Sequence, residues 1–297
     1  MRETRIQIAR PDIVTLFEQN SRAIFRYGDI AHILTANRGF WRLTQRMTTD
    51  EFLDYLLKST KLRKYDFDFK RRKETRFVWE DVPFLEVIVN LHPSAYLSHY
   101  SAVWLHGLTE QVPKTMYLNV EQPQRGTNSS LTQRSVDSAF QRKPRISTNV
   151  AVFKDYRICQ INGKFSNQLG VGDLSVHDLL SPSTAKVRVT GVERTLIDIA
   201  VRPFYAGGVH EVLKAYGIAK ERDSSVNRLV AILKKLDFTY PYHQSIGFYM
   251  EKVGFESNLL DLLRRIPREF DFYLTHQIGE KVYVKEWRLW VPKGMEL

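Results

Sequence analysis

Three short amphipathic segments near the start, two β-prone runs around a basic pentapeptide, and a longer remainder that alternates before turning helical predict an α+β chain. The expected organisation is an N-terminal winged helix-turn-helix over residues 1–82. A larger mixed α/β domain over residues 83–297, with a helical second half, follows it.

The first helix is read from Pro11 to Asn20. Pro11 suits a first helical turn, and Ile13, Val14, Leu16 and Phe17 fall near helical spacing. Tyr27 to Asn37 gives a second, with Ile30, Ile33 and Leu34 on one stripe and Asn37 with Gly39 as the stop. A third opens at Thr48 or Thr49. Glu51 completes a capping box if Thr48 is the N-cap, and Phe52, Leu53, Leu56 and Leu57 point inward. Leu62 to Phe69 and Thr75 to Trp79 are β-prone, and Lys70-Arg71-Arg72-Lys73-Glu74 between them reads as the basic turn of a wing.

Beyond residue 82, the segment Pro83 to Pro93 carries an apolar helix, and Lys114 to Val120 reads as a strand. Gly126 to Ser147, with Arg125 ahead of it, is polar and expected to be a loop. Val150 to Phe153 and Lys186 to Thr190 are further β-prone runs. Helices are expected over Val192 to Val201, Gly208 to Tyr216, Ser224 to Leu236 and Ile246 to Val253. Strands are expected over Phe270 to Thr275 and Lys281 to Trp290. No internal repeat or regular strand-helix alternation marks a doubly wound sheet.

At 297 residues with 43% hydrophobic content, the chain can bury more than one core. Its formal net charge of +11 favours a polyanionic partner, because clustered Lys and Arg displace counterions from phosphates. The one cysteine, Cys159, cannot form an internal disulfide, and no Cys/His spacing suits structural zinc. With neither a signal-peptide core nor a run of about 18 apolar residues, the expected compartment is the cytoplasm.

The densest motif is Ser98-His99-Tyr100-Ser101-Ala102-Val103-Trp104-Leu105-His106-Gly107-Leu108. His99 and His106 lie two helical turns apart, too far to share a metal unaided. Ser98 as N-cap and Gly107 at the helix end account for the run through capping. This motif, the following Val112-Pro113-Lys114-Thr115-Met116-Tyr117-Leu118, and Val189-Thr190-Gly191-Val192-Glu193-Arg194-Thr195-Leu196-Ile197-Asp198 together resemble the AbiEi antitoxin family. Gly247-Phe248-Tyr249-Met250-Glu251 and Trp287-Arg288-Leu289 look like the later part of that family, so the resemblance spans nearly the whole chain.

The resemblance implies a type IV antitoxin that opposes a nucleotidyltransferase-like toxin without a stable complex. It also implies that the N-terminal domain binds double-stranded operator DNA and represses its own operon, with antitoxin activity in the C-terminal domain. No cofactor is implied. One departure concerns the third helix, whose Asp50, Glu51 and Asp54 would repel phosphate. Candidate contacts therefore fall on Arg38, Arg42, Gln45 and Arg46 ahead of it, where Arg can meet guanine or phosphate and Gln can meet adenine. Thr48 and Thr49 join them if the helix enters by its N-terminus, and Lys70, Arg71, Arg72 and Lys73 would reach phosphates from the wing.

Glu193 suits a helix start, and Arg194 with Asp198 makes a structural i, i+4 pair. Gly170-Val171-Gly172 lacks the rest of a dinucleotide motif. Two other readings stand beside the regulator. A metal-dependent nuclease would use Asp173, Asp178, Glu251 and Glu256, although no catalytic or metal-ligating order is recognisable. A protein-interaction module would dock a partner on the helical stretch from Gly208 to Leu263.

Overall fold

The structure is a computed structural model that describes residues 3–123 and 130–296. It is an α+β chain whose helical N-terminus leads into a mixed α/β body.

The N-terminal elements are α1 (Arg5–Glu18), β1 (Ile24–Phe25), α2 (Tyr27–Asn37), α3 (Thr49–Ser59), β2 (Leu62–Phe69) and β3 (Arg72–Trp79). β3 lies between β1 and β2, antiparallel to both. The order α-β-α-α-β-β contains the three expected helices and two expected strands, with β1 added between the first two helices. α2 has the bounds that its apolar stripe predicts. α3 opens with the anticipated capping box: Glu51 N donates to Thr48 Oγ1 at 3.2 Å, and Thr48 N donates to Glu51 Oε2 at 2.7 Å. α1 begins six residues before Pro11, because Thr4 N finds an acceptor in Gln7 Oε1 at 2.7 Å and Ile6 and Ala9 extend the buried face. Pro11 sits inside the helix.

The basic turn is shorter than expected. β3 starts at Arg72, with Arg72 opposite Phe69 and Lys73 opposite Asp68, so only Lys70 and Arg71 form the turn. Alternation along β2 also divides the hairpin between two cores. Leu62, Phe77 and Trp79 at its base pack with α1, α2 and α3. Phe67 and Phe69, with Val78 of β3, join Phe84, Met116 and Ile158 in the core of the second unit. The Phe153 ring lies 5.1–5.4 Å from those of Tyr65, Phe67 and Phe84. Apolar packing thus crosses the expected boundary at residue 82.

The second unit begins with α4 (Phe84–Val89), β4 (Tyr96–Leu97), α5 (His99–Leu105) and β5 (Thr115–Glu121). α6 (Gln133–Gln141), β6 (Val150–Phe153), β7 (Tyr156–Gly163), β8 (Val171–His177) and β9 (Thr184–Thr190) follow. Their six-stranded sheet has the order β6-β7-β5-β4-β9-β8, with β5–β7 and β4–β9 parallel and the other pairs antiparallel. The expected polar loop over 126–147 is corrected by α6, which Val136 and Phe140 pin to the core and Thr132 caps. Arg125 and residues 126–129 of that loop lie outside the described residues.

α7 (Val192–Val201) packs against α5, α8 (Val209–Glu221), α9 (Val226–Leu236) and α10 (Tyr242–Lys252), with α11 (Ser257–Arg264) against α9 and α10. The chain ends in a small sheet of β10 (Phe272–Tyr273), β11 (Lys281–Val284) and β12 (Leu289–Pro292). The expected strand from Lys281 to Trp290 is broken by a 3₁₀ turn at Lys285–Trp287, where Arg288 takes φ 46° and Trp287 turns into the core. Among the described residues, no helix is long and apolar enough to cross a membrane.

Candidate nucleic-acid interface

The turn between α2 and α3 is an anchored loop. Trp41 N donates to Asn37 O at 2.9 Å, Arg42 N to Gly39 O at 3.0 Å and Leu43 N to Arg38 O at 3.0 Å. Trp41 and Leu43 drop into the core, where the Trp41 ring stacks on Phe52 at 5.7 Å. Burying alternate residues leaves Arg42, Gln45 and Arg46 exposed. Half-buried Arg38 donates through Nη1 to Thr44 O at 2.6 Å, bracing the turn with one edge of its guanidinium. Arg42 holds φ 51°, an uncommon conformation for a residue with a Cβ. Among the described residues, none of Arg38, Arg42 and Arg46 forms an ion pair with a carboxylate. Phe40, which motif reasoning missed, stands 74% exposed in the same turn. The signal available in the sequence was the adjacent pair Phe40-Trp41, of which the loop can bury only one.

Thr48 and Thr49 are placed differently. The Thr48 hydroxyl caps α3, and the Glu51 carboxylate occupies the helix N-terminus that would otherwise attract phosphate. Asp50 and Asp54 also lie on this exposed side of α3. The geometry therefore favours the turn over the helix as the anion-facing element.

The four wing cations separate into two pairs. Arg72 Nε lies 3.1 Å from Glu74 Oε1, and its Nη2 donates to Gln160 Oε1 at 3.0 Å. Lys73 Nζ lies 3.3 Å from Asp66 and 3.8 Å from Asp68. Lys70 and Arg71 have no such partners among the described residues. They project at the far end of a hairpin whose turn lies roughly 23 Å from Leu62, at about 3.3 Å per strand residue. That end rests on the second unit.

The second unit's motif residues work as ties. Tyr117 N donates to Ser101 Oγ at 2.7 Å, joining α5 to β5, and His106 Nε2 donates to Thr190 O at 2.6 Å, joining α5 to the β9–α7 turn. Burial lowers the His106 pKa, consistent with the neutral tautomer carrying its proton on Nε2. Gly107, at φ 64°, ends the helix: its N–H bonds Trp104 O and that of Leu108 bonds Val103 O, both at 2.8 Å. Arg194 Nε donates to Asp198 Oδ1 at 2.8 Å in a buried pair, and Nη1 reaches Leu169 O at 2.6 Å. Burial raises the Asp198 pKa against the pull of Arg194. Burial works against the Arg194 charge, but the carboxylate outweighs it and its pKa rises. Gly170, at φ 74°, lets this arginine pass, since a Cβ would come 2.9 Å from Arg194 Cβ.

Near the C-terminus, Gly247 faces the Trp287 ring so closely that any Cβ would overlap it. The indole donates to Glu251 Oε2 at 2.6 Å.

The carboxylates considered for metal-assisted hydrolysis are dispersed. Asp173 pairs with Lys186 at 3.2 Å, Asp178 accepts from Leu85 N at 2.9 Å, Glu251 holds Arg264 at 2.7 Å, and Glu256 occupies the N-cap position of α11 without a side-chain capping bond. Among the described residues, no group of three or more His, Cys, Asp or Glu is placed to hold a metal ion.

No family model matches the chain, and no curated protein matches it. Among solved structures the chain is similar to the Rv2827c protein from Mycobacterium tuberculosis, with a TM-score of 0.59 at 15% sequence identity. The match covers 96% of this chain and 91% of that one, and it is a likeness of fold.

Proposed function

We propose that the chain is a cytoplasmic DNA-binding regulator of the AbiEi antitoxin type. In this reading it represses its own operon and opposes a nucleotidyltransferase-like toxin without a stable complex or a cofactor. The observation that carries the DNA-binding part is the α2–α3 turn: Arg38, Arg42 and Arg46, unpaired with carboxylates among the described residues, stand with Gln45 on a loop fixed by Trp41 and Leu43. A fixed loop backbone lowers the ordering cost of bringing these guanidinium groups to phosphate or a guanine edge, and Gln45 can pair with an adenine edge. The antitoxin part rests on the family resemblance. Its quoted segments meet in space, α5 against Thr190 and Gly247 against Trp287, as parts of one scaffold.

The test is fluorescence anisotropy of the full chain against DNA from upstream of its own gene, beside a scrambled duplex, at two salt concentrations. Preferential binding that weakens with salt is expected. Arg42→Ala and Arg46→Ala should each flatten the log–log salt slope by about 0.9 if the residue contacts phosphate. Equal affinity for both duplexes, or a slope unchanged in both variants, would overturn the reading.

A further inference from the structure

A second cluster of uncompensated cations lies between the hairpin turn and the sheet. Lys70 and Arg71 face Arg145, from the segment leading into β6, and Arg202, at the end of α7, across a cleft of about 550 Å³. None of the four forms an ion pair or donates a side-chain hydrogen bond among the described residues, and no Asp or Glu lines the cleft. This contrasts with Arg72 and Lys73, one and two residues further on, which are matched by Glu74, Asp66 and Asp68. Four like charges around one concavity repel one another and leave a positive field that an anion would relieve.

One further feature narrows the ligand. In the wall of the cleft Ile146 is 57% exposed, an apolar face beside the charges. The cleft therefore combines anion-seeking groups with a patch of apolar surface. Its volume falls within the roughly 300–1,000 Å³ of small-ligand sites.

We propose that this cleft binds a nucleotide unit, free or within a strand. Lys70, Arg71, Arg145 and Arg202 hold the phosphate groups, and the base lies against Ile146. The site is separate from the α2–α3 turn and does not depend on the regulator reading. It reassigns Lys70 and Arg71 from duplex contact to a ligand shared with the second unit.

The experiment is isothermal titration calorimetry of the full chain with each common ribonucleoside mono- and triphosphate and with short single-stranded trinucleotides. Inorganic phosphate serves as competitor. Saturable binding is expected, weakened at least tenfold in Arg145→Glu and in Arg71→Glu and unchanged in Lys235→Glu, an equal charge reversal on exposed α9. Near-UV circular dichroism of each variant confirms that it is folded. Saturation by a free nucleotide identifies a small-molecule ligand, and saturation by trinucleotide alone identifies a strand; either supports the site. Absence of binding by both, equal competition by inorganic phosphate, or folded charge-reversal variants that bind like the wild type would overturn it. Operator binding is read separately by anisotropy, so failure of one proposal leaves the other standing.

Discussion

The α2–α3 turn and the α7 helix both carry arginine, yet they use it in opposite ways. In α7, Arg194 is buried and its nitrogens are spent on Asp198, Ser166 and Leu169 O. In the turn, Arg42 and Arg46 are exposed with no carboxylate paired to them among the described residues, and Arg38 commits one edge to Thr44 O. Both regions contain recognisable sequence, but the denser motif belongs to the region that is internally satisfied. Motif density here marks scaffold, and uncompensated charge marks the surface available to a partner.

Four perturbations test that division, from the largest expected effect to the smallest. Gly247→Ala forces a Cβ into the Trp287 ring and should destabilise the fold by about 3 kcal/mol, the upper range for overpacking, in urea unfolding. A variant as stable as wild type would show that the α10–Trp287 contact yields freely.

The second perturbation is pH. Burial, reinforced by Arg268, lowers the His243 pKa from 6.5 to about 4. The unfolded chain then binds the proton more readily, so this contribution to stability is complete above pH 6.5 and is lost as pH falls through 4. About 2.5 pH units at 1.36 kcal/mol each gives about 3 kcal/mol at most. Unfolding curves at pH 7, 5.5 and 4.5 should show a fall that His243→Gln reduces; the same slope in both proteins would rule out this histidine as its source.

Arg42→Ala with Arg46→Ala should lower operator affinity by one to two orders of magnitude, roughly 1 kcal/mol for each of the two contacts, while moving stability by less than about 0.5 kcal/mol. A large stability loss with unchanged affinity would place the turn with the scaffold. The smallest effect is expected from Lys73→Ala, which should change operator affinity by less than about twofold. Asp66 and Asp68 already surround this ammonium, and an exposed pair of this kind contributes about 0–1 kcal/mol. A drop comparable with that of the turn variants would show that the hairpin reaches the duplex after all.

Local chemistry explains which parts were legible in the sequence. α2, α3 with its Thr48–Glu51 box, and α7 carry their own stop, cap and stripe signals, and their bounds follow from those signals. β7 and β8 escaped. β7 carries Gln160 and Asn162 among its apolar residues, which breaks the apolar run expected of a strand inside a sheet, whereas β8 is an edge strand bearing Asp173 and Ser175. α6 has only Val136 and Phe140 buried among polar residues, too sparse a stripe to outweigh the loop-like composition. The arginines of the α2–α3 turn were readable as a basic run. Their availability was not, since it depends on which carboxylates lie nearby in space. The cleft was invisible for a related reason, because Lys70, Arg145 and Arg202 come from three distant stretches.

The hairpin with one end in each core has a mechanical consequence. Because Phe77 and Trp79 belong to one core and Phe67 and Phe69 to the other, neither unit can melt without stripping aromatic surface from its neighbour. The chain should therefore unfold in one cooperative step. A fragment cut at residue 82 would carry a bare greasy strip where Phe67 and Phe69 met the second core. Such a fragment is prone to self-association, so a useful dissection of this protein keeps the hairpin and its receiving sheet on the same polypeptide.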